Sequence, residues 1–297
     1  MNILFIGSGD LVKSAIPYFP IEKNHLTITT TTKEKAEQLR SQFPQIEVSI
    51  LEGTHLESVK KMITGKDAVV IAVAPIKSRV RGKSSDEIQQ VILDTYKVIA
   101  QNVARAVQDL PKKPKVIYIS AYTVYPNVDG KIVDEQTPLM RRHPKVNIMI
   151  DAEEVILDQI PHSVVLRLGW LVNPGLDWHK TLENFRKFLP NYELKGDGKI
   201  RANLVHIEDA ARAIEFAISN NLSGIYNICD DAHPYTGELY DIVAEQVGMP
   251  PPNWNKEAKE VLIYEGNNIA SNQKIKDAGF SFKYPREMGL LYILPNK

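Results

Sequence analysis

Cysteine is almost missing from this 297-residue chain: Cys229 is the only one. A single thiol cannot close an internal disulfide, so a disulfide-stapled scaffold is excluded and a reducing compartment, the cytoplasm, is expected. An excess of either charge is missing too, since 36 basic and 36 acidic side chains cancel. That leaves no net field to draw the chain to nucleic acid or to an anionic membrane, and neither partner is expected. No apolar run is long enough to span a bilayer. The first such run, residues 3–6, stops at Gly7 with no basic region before it, and reads as a strand rather than a secretion signal. The seven histidines are scattered without ligand spacing, so no metal is expected.

The remaining composition, 43% hydrophobic and 24% charged, is that of an ordinary globular chain with ample core. Strand and helix signals alternate. Apolar or β-branched stretches at 3–6, 26–31, 47–51, 68–73, 115–120, 163–168 and 224–229 read as strands. The run 68–73 is apolar throughout, as for a strand covered on both faces. Helices are expected from about Asp10, interrupted by Pro17, over 33–43, and over 86–108 behind a Ser84/Glu87 capping box. The apolar face of 86–108 has two readings: packing on the sheet, or part of a helix-to-helix interface in a homodimer. Further helices are expected over 208–220 and 236–247. The alternation predicts an α/β protein with a doubly wound parallel sheet.

The turn after the first strand, Gly7-Ser8-Gly9-Asp10-Leu11, lets backbone N–H groups face a pyrophosphate. Where a third glycine would complete G-x-G-x-x-G stands Val12, which is expected to press the helix away from the strand. Glycine in such a turn also serves geometry alone. The second strand ends in Thr29-Thr30-Thr31-Thr32-Lys33-Glu34-Lys35. NAD binding favours a carboxylate about there, roughly 20 residues past the glycines. Hydroxyls and Lys33 suit a 2′-phosphate better, so NADP is preferred over NAD. The plainer reading is of β-forming threonines before a solvated helix start.

Several signatures then follow in one order. Tyr118-Ile119-Ser120-Ala121-Tyr122-Thr123-Val124-Tyr125-Pro126, with Val133-Asp134-Glu135-Gln136-Thr137-Pro138-Leu139, resembles the S-S-x-x-V-Y-G…V-D-E-x-T-P-L stretch of extended short-chain dehydrogenases/reductases. The segments 152–157, 165–175, 203–213 and 224–231 resemble that family's A-E-x-x-L helix, its L-R-x-x-x-x-Y-G-P-G strand, N-x-I-H-V-x-D-x-A-R-A and the strand after it. The nearest group is the atypical, NAD-dependent epimerase/dehydratase-like branch. The resemblance implies a Rossmann-type dinucleotide domain over 1–168 and a smaller substrate lobe over 169–297, interwoven with the main sheet. It implies cofactor contacts at Gly7, Gly9, Asp10, Leu11, Thr31, Thr32 and Lys33, and at Ala72, Val73 and Ala74 on the fourth strand.

The departures are as specific. The family uses a Ser/Thr and a Tyr-x-x-x-Lys pair, in which the Lys lowers the pKa of the Tyr acid/base. Anchored on Val124-Tyr125 and on Glu154, those places fall on Ala121, Val146 and Ile150. Tyr122 or Ser120 is the expected substitute donor, each with the alternative of a structural role. Tyr125, Trp170 and Asn173 are expected on the substrate side, with Tyr125 alternatively packing in the core. His206 and Asp209 are expected to fix a loop and cap the next helix. The basic stretches Lys77, Arg79, Arg81, Lys83 and Arg141, Arg142, His143, Lys145 read as solvated loops or as anion-recruiting segments. Two functions follow: an NAD(P)-dependent oxidoreductase or epimerase acting on a small polar molecule, or an inactive dinucleotide-binding sensor or scaffold, monomeric or homodimeric.

Overall fold

The computed structural model describes residues 1–75, 82–173, 177–257 and 266–284. Residues 3–6 of β1 (Asn2–Ile6) are buried, as is all of β4 (Ala68–Ile71), which has no polar face to offer water. Between them come α1 (Asp10–Ala15), β2 (His25–Thr30), α2 (Lys33–Gln42), β3 (Glu47–Ile50) and α3 (Leu56–Ile63). Pro17 ends α1 as expected, and a 3-10 turn follows over Ile16–Tyr18. The Thr32 hydroxyl accepts from the Lys35 amide and starts α2. Helix α3 has no counterpart in the sequence reading. Its buried residues Val59 and Ile63 are a single i,i+4 pair, too short to display a period.

The Ser84/Glu87 capping box opens α4 (Ser85–Leu93) as expected. The long helix is not regular, however. A π-turn over Asp94–Val98 separates α4 from α5 (Ile99–Gln108). The Thr95 hydroxyl bonds back to the Val91 carbonyl at 2.7 Å within this stretch. After β5 (Lys115–Ala121) come β6 (Ile132–Val133), α6 (Pro144–Gln159), β7 (Val164–Leu168), β8 (Trp170–Val172) and α7 (Trp178–Phe188). The chain continues through β9 (Glu193–Lys195), β10 (Leu204–His206), α8 (Ile207–Ser219), β11 (Gly224–Ile228), α9 (Thr236–Gln246), β12 (Asn253–Asn255), β13 (Ile269–Ala270) and α10 (Gln273–Asp277).

Seven strands make the main sheet in the order β11-β7-β5-β4-β1-β2-β3. The β4–β5, β1–β4, β1–β2 and β2–β3 pairs are parallel. Winding runs outward from β1 through β2 to β3, then reverses through β4 and β5. Ligands in such sheets bind at the strand carboxyl ends where the order reverses, here between β1 and β4.

The two compact units do not divide at 168/169. The first takes Met1–Ser120, Pro144–Arg167 and Ala210–Tyr226; the second takes Ala121–His143, Leu168–Asp209 and Asn227–Lys297. The reason lies in β11, a late strand that pairs beside β7 in the main sheet and carries α8 with it. The second unit holds the short parallel pairs β10–β8, β12–β9 and β13–β6. Buried asparagines tie the segments next to β10 and β13 together. Asn203 donates to the Asn268 carbonyl at 3.0 Å and accepts from the Ala270 amide at 2.7 Å. Asn268 in turn donates to the carbonyls of Pro126 and Gly266. Side-chain amides replace the ladder bonds that two- and three-residue strands cannot supply.

Candidate functional site

In the first unit, the two glycines of the β1 turn differ in what they do. Gly7 has φ +122°, and a Cβ there would lie 2.2 Å from the Ala72 carbonyl oxygen. Its own chain demands glycine. Its amide donates to the Thr29 hydroxyl at 3.1 Å, so Gly7 shapes the turn. Gly9 has an ordinary extended backbone, φ −70° and ψ 178°, and among the described residues nothing lies within 4 Å of where its Cβ would be. Neither strain nor packing against the described residues calls for glycine there. Val12 is buried, and α1 forms with it in place; the helix has six residues. Leu11 is buried as well, while Asp10 is exposed and pairs with Lys13 at 3.0 Å.

The neighbouring strand ends collect the other expected contacts of this unit. β4 stops at Ile71, two residues earlier than the apolar run suggests, because Ala72 is the residue against which Gly7 turns. Ala72 and Val73 are half-buried and Ala74 is exposed. At the end of β2, Thr31 is half-buried, and Thr32 and Lys33 are exposed. The Thr32 hydroxyl is engaged as the α2 cap. Lys33 has no ion-pair partner among the described residues. Of the basic loop, Lys77, Arg79 and Arg81 lie outside the described residues, and Lys83 pairs with Glu87 at 3.3 Å.

Ser120, expected as a possible proton donor, is committed elsewhere. It is buried at the end of β5, and its hydroxyl donates to the Glu153 carboxylate on α6. Glu153 also receives Arg167 of β7, with Nη2 at 2.6 Å and Nε at 3.1 Å from Oε2. Both charged side chains are only 2% exposed. This bidentate pair supplies the hydrogen bonds that a buried charge requires. Tyr118 of β5 is fully buried, and burial pushes its phenol well up, with the Glu153 charge and Tyr96 adding to the effect. Burial likewise pushes Tyr96, in the π-turn, to about 12. Neither phenol is an acid/base near neutral pH.

In the second unit, Tyr125 is not on a substrate face. It is fully buried, and its hydroxyl donates to Asn227 Oδ1 at 2.8 Å. Asn227 passes the link on, donating to the Ser271 carbonyl at 2.9 Å. Tyr122 is 4% exposed and packs with Tyr125, Val133, Cys229 and Ala270. Arg142 of the second basic stretch donates to the Thr123 carbonyl at 2.6 Å and so braces the turn that carries Tyr122. Trp170 is half-buried in an aromatic group, with ring centroids 6.1 Å from Trp178 and 6.4 Å from Tyr240; Asn173 is half-buried.

His206 and Asp209 fix a loop, as expected. His206 Nδ1 accepts from the Glu208 amide at 3.2 Å, and burial lowers its pKa. Asp209 takes the amides of Lys283 and Tyr284, each at 2.8 Å, and the Tyr284 ring stacks on His206. Asp230 is a residue the sequence reading missed. It is buried, accepts from the Ala232 amide at 2.8 Å, and desolvation raises its pKa to about 7. Among the described residues no cluster of His, Cys, Asp and Glu could hold a metal, and no helix is long and apolar enough to cross a membrane.

No family model matches the chain. Protein YeeZ of Escherichia coli K12 is 32% identical over 179 residues, which make up 58% of this chain and 59% of that protein. The match thus spans less than two thirds of the relative's length. Solved structures superpose over nearly everything. The human epimerase family protein SDR39U1 with NADPH has a TM-score of 0.74 at 18% identity, covering 100% of both chains. A tyrosine-to-phenylalanine mutant of a UDP-glucuronic acid 4-epimerase from Bacillus cereus, in complex with UDP-4-deoxy-4-fluoro-glucuronic acid and NAD, has a TM-score of 0.78 at 18% identity, covering 99% of both. This is the extended epimerase/dehydratase-like fold of the short-chain dehydrogenases/reductases.

The three places read as departures in the sequence are Ala121, Val146 and Ile150. Ala121 carries no hydroxyl, and Val146 and Ile150 of α6 are buried. Glu154, the anchor used for α6, is exposed, whereas Glu153 is the glutamate bound to Arg167. Anchoring on Glu153 moves the Tyr and Lys places to Lys145 and Met149, and neither frame yields a Tyr-x-x-x-Lys pair.

Proposed function

We propose that this chain binds a nicotinamide dinucleotide at the glycine turn of the first unit, NADP in preference to NAD, and acts as an oxidoreductase or epimerase on a small polar molecule. The observation that carries the reading is Gly9. Among the described residues nothing lies within 4 Å of where its Cβ would be and nothing needs it to be glycine, as suits close approach of a pyrophosphate. The turn sits where the winding of the sheet reverses, the expected place for a ligand. NADPH and NAD in the two similar structures support the cofactor class. Lys33 at the end of β2, with no carboxylate among residues 29–33, supports NADP. Bound there, the dinucleotide would supply hydride transfer.

The proton donor we assign is Tyr122. It follows β5 directly and carries an ionisable hydroxyl. The second reading, nucleotide binding without turnover, is favoured by the commitment of the Ser120 hydroxyl to Glu153 and of the Tyr125 hydroxyl to Asn227, and by the lack of a Tyr-x-x-x-Lys pair in either frame. Absorbance of NADPH with a panel of small carbonyl compounds and sugars separates the two: consumption supports the enzyme, and binding without consumption supports the sensor.

The site itself is tested by Gly9→Val. The fold should stand, because the added side chain enters empty space. NADPH affinity should fall about 100-fold, the loss of one or two charge-assisted hydrogen bonds. Calorimetry on both proteins decides; equal affinities, or a wild type that binds neither NADPH nor NADH, reject the site. Lys33→Glu should erase about tenfold or more of the preference for NADPH, since a charge-assisted contact to the 2′-phosphate contributes roughly 1.5–3 kcal/mol. A wild type that binds NADH as tightly as NADPH removes the argument from Lys33.

A further inference from the structure

We propose that Thr29 is a positioning residue of the nucleotide turn: its buried hydroxyl receives the Gly7 amide proton, hands its own to the Phe5 carbonyl, and so holds the turn formed before a ligand arrives. The inference rests on the dinucleotide reading above and goes one step beneath it. Thr29 lies on β2, in the interior of the sheet, and is 2% exposed. A hydroxyl there is costly unless it is hydrogen-bonded. Thr29 Oγ1 is used twice, accepting from the Gly7 amide at 3.1 Å and donating to the Phe5 carbonyl at 3.2 Å.

The register shows why the protein needs it. The β1–β2 ladder runs to Phe5↔Ile28 and the β1–β4 ladder to Ile6↔Ile71. Gly7 is the first residue past both, its φ of +122° turns the chain that follows away from the ladders, and its amide meets the Thr29 hydroxyl. Without Thr29 that part-buried amide has no strand carbonyl to meet. With it, the turn is tied to β2 on one side and lies against Ala72 on the other. The Gly7 amide is therefore unavailable to a ligand, and contacts to a pyrophosphate fall to the residues after it. A turn held in its binding shape loses less freedom on binding, which is where the gain in affinity arises.

The test uses Thr29→Val and Thr29→Ser in the full chain. Valine keeps the shape and favours a buried strand, but it neither donates nor accepts. Serine keeps both functions of the hydroxyl. NADPH affinity by calorimetry should fall about tenfold in the valine variant, the effect of one lost hydrogen bond, and stay close to wild type in the serine variant. Hydrogen exchange of the Gly7 amide, followed by NMR without nucleotide, should be slow in wild type and serine and fast in valine. Wild-type affinity in the valine variant overturns the proposal and leaves the dinucleotide reading standing. A wild type that binds neither NADPH nor NADH overturns both. Rapid Gly7 exchange in the nucleotide-free wild type overturns the positioning role whether or not the valine variant folds.

Discussion

Arg167→Met is expected to destabilise the protein by about 3–5 kcal/mol, the usual cost of removing one partner from a buried ion pair. The variant leaves the Glu153 carboxylate, 2% exposed, with the Ser120 hydroxyl and no guanidinium. Glu153→Leu combined with Arg167→Met should recover most of that loss, because two apolar side chains of similar size need no partners there. Urea denaturation of the wild type, the single variant and the double variant supplies the comparison. A single variant within about 1 kcal/mol of wild type would put this pair among the weakly contributing surface-like bridges. Since β5 carries Ser120 and leads directly into Tyr122, the single variant should also disturb the segment to which the proton donor is assigned.

The second large effect depends on pH. The Asp230 pKa is raised from 3.8 to about 7, with desolvation the main cause, opposed by the bond from the Ala232 amide and reinforced by Asp231 and Asp209. A raised folded-state pKa means that the folded protein holds a proton the unfolded chain has lost. The contribution is complete below pH 3.8 and disappears as pH rises to about 7. Above that, the ionised carboxylate costs about 4 kcal/mol as an upper figure, from roughly three pKa units at 1.36 kcal/mol each. Asp230→Asn keeps the acceptor for Ala232 and removes the charge. It should therefore be more stable than wild type at pH 8 and nearly equal to it at pH 4. His206, whose pKa burial lowers, acts in the opposite sense below pH 6.5, so the comparison must be made between the two proteins at each pH. Equal stability at pH 8 would show that the ionised Asp230 carboxylate is not costly in the folded state and that burial does not raise its pKa.

Much of the architecture could be read from the chain. The apolar runs 3–6 and 68–73 hold buried parallel strands, Pro17 breaks α1, and Ser84 with Glu87 opens α4. Each is a local rule, set by which side chains neighbour one another in sequence. The misses share a different character. Helix α3 rests on two apolar residues, and β4 ends early because the carbonyl of Ala72 meets Gly7 from another strand. Glu153 and Glu154 are indistinguishable as letters; one faces Arg167 and the other faces water. Tyr125 and Ser120, plausible as functional hydroxyls, hold the structure together because Asn227 and Glu153 happen to face them.

The sequence by itself therefore determined the strands of the main sheet and their order along the chain, the glycine turn at the first strand end and the missing Tyr-x-x-x-Lys pair, because backbone preference, apolar periodicity and residue identity are properties of neighbours along the chain. Only the tertiary structure decided that Gly7 shapes the turn while Gly9 leaves it open, that Thr29 is the hydroxyl tying that turn to β2, that Asp230 sits where its charge is costly, and that each compact unit gathers three separate stretches of chain. Those outcomes depend on distances between residues far apart in sequence, and on how completely water is removed around each polar group.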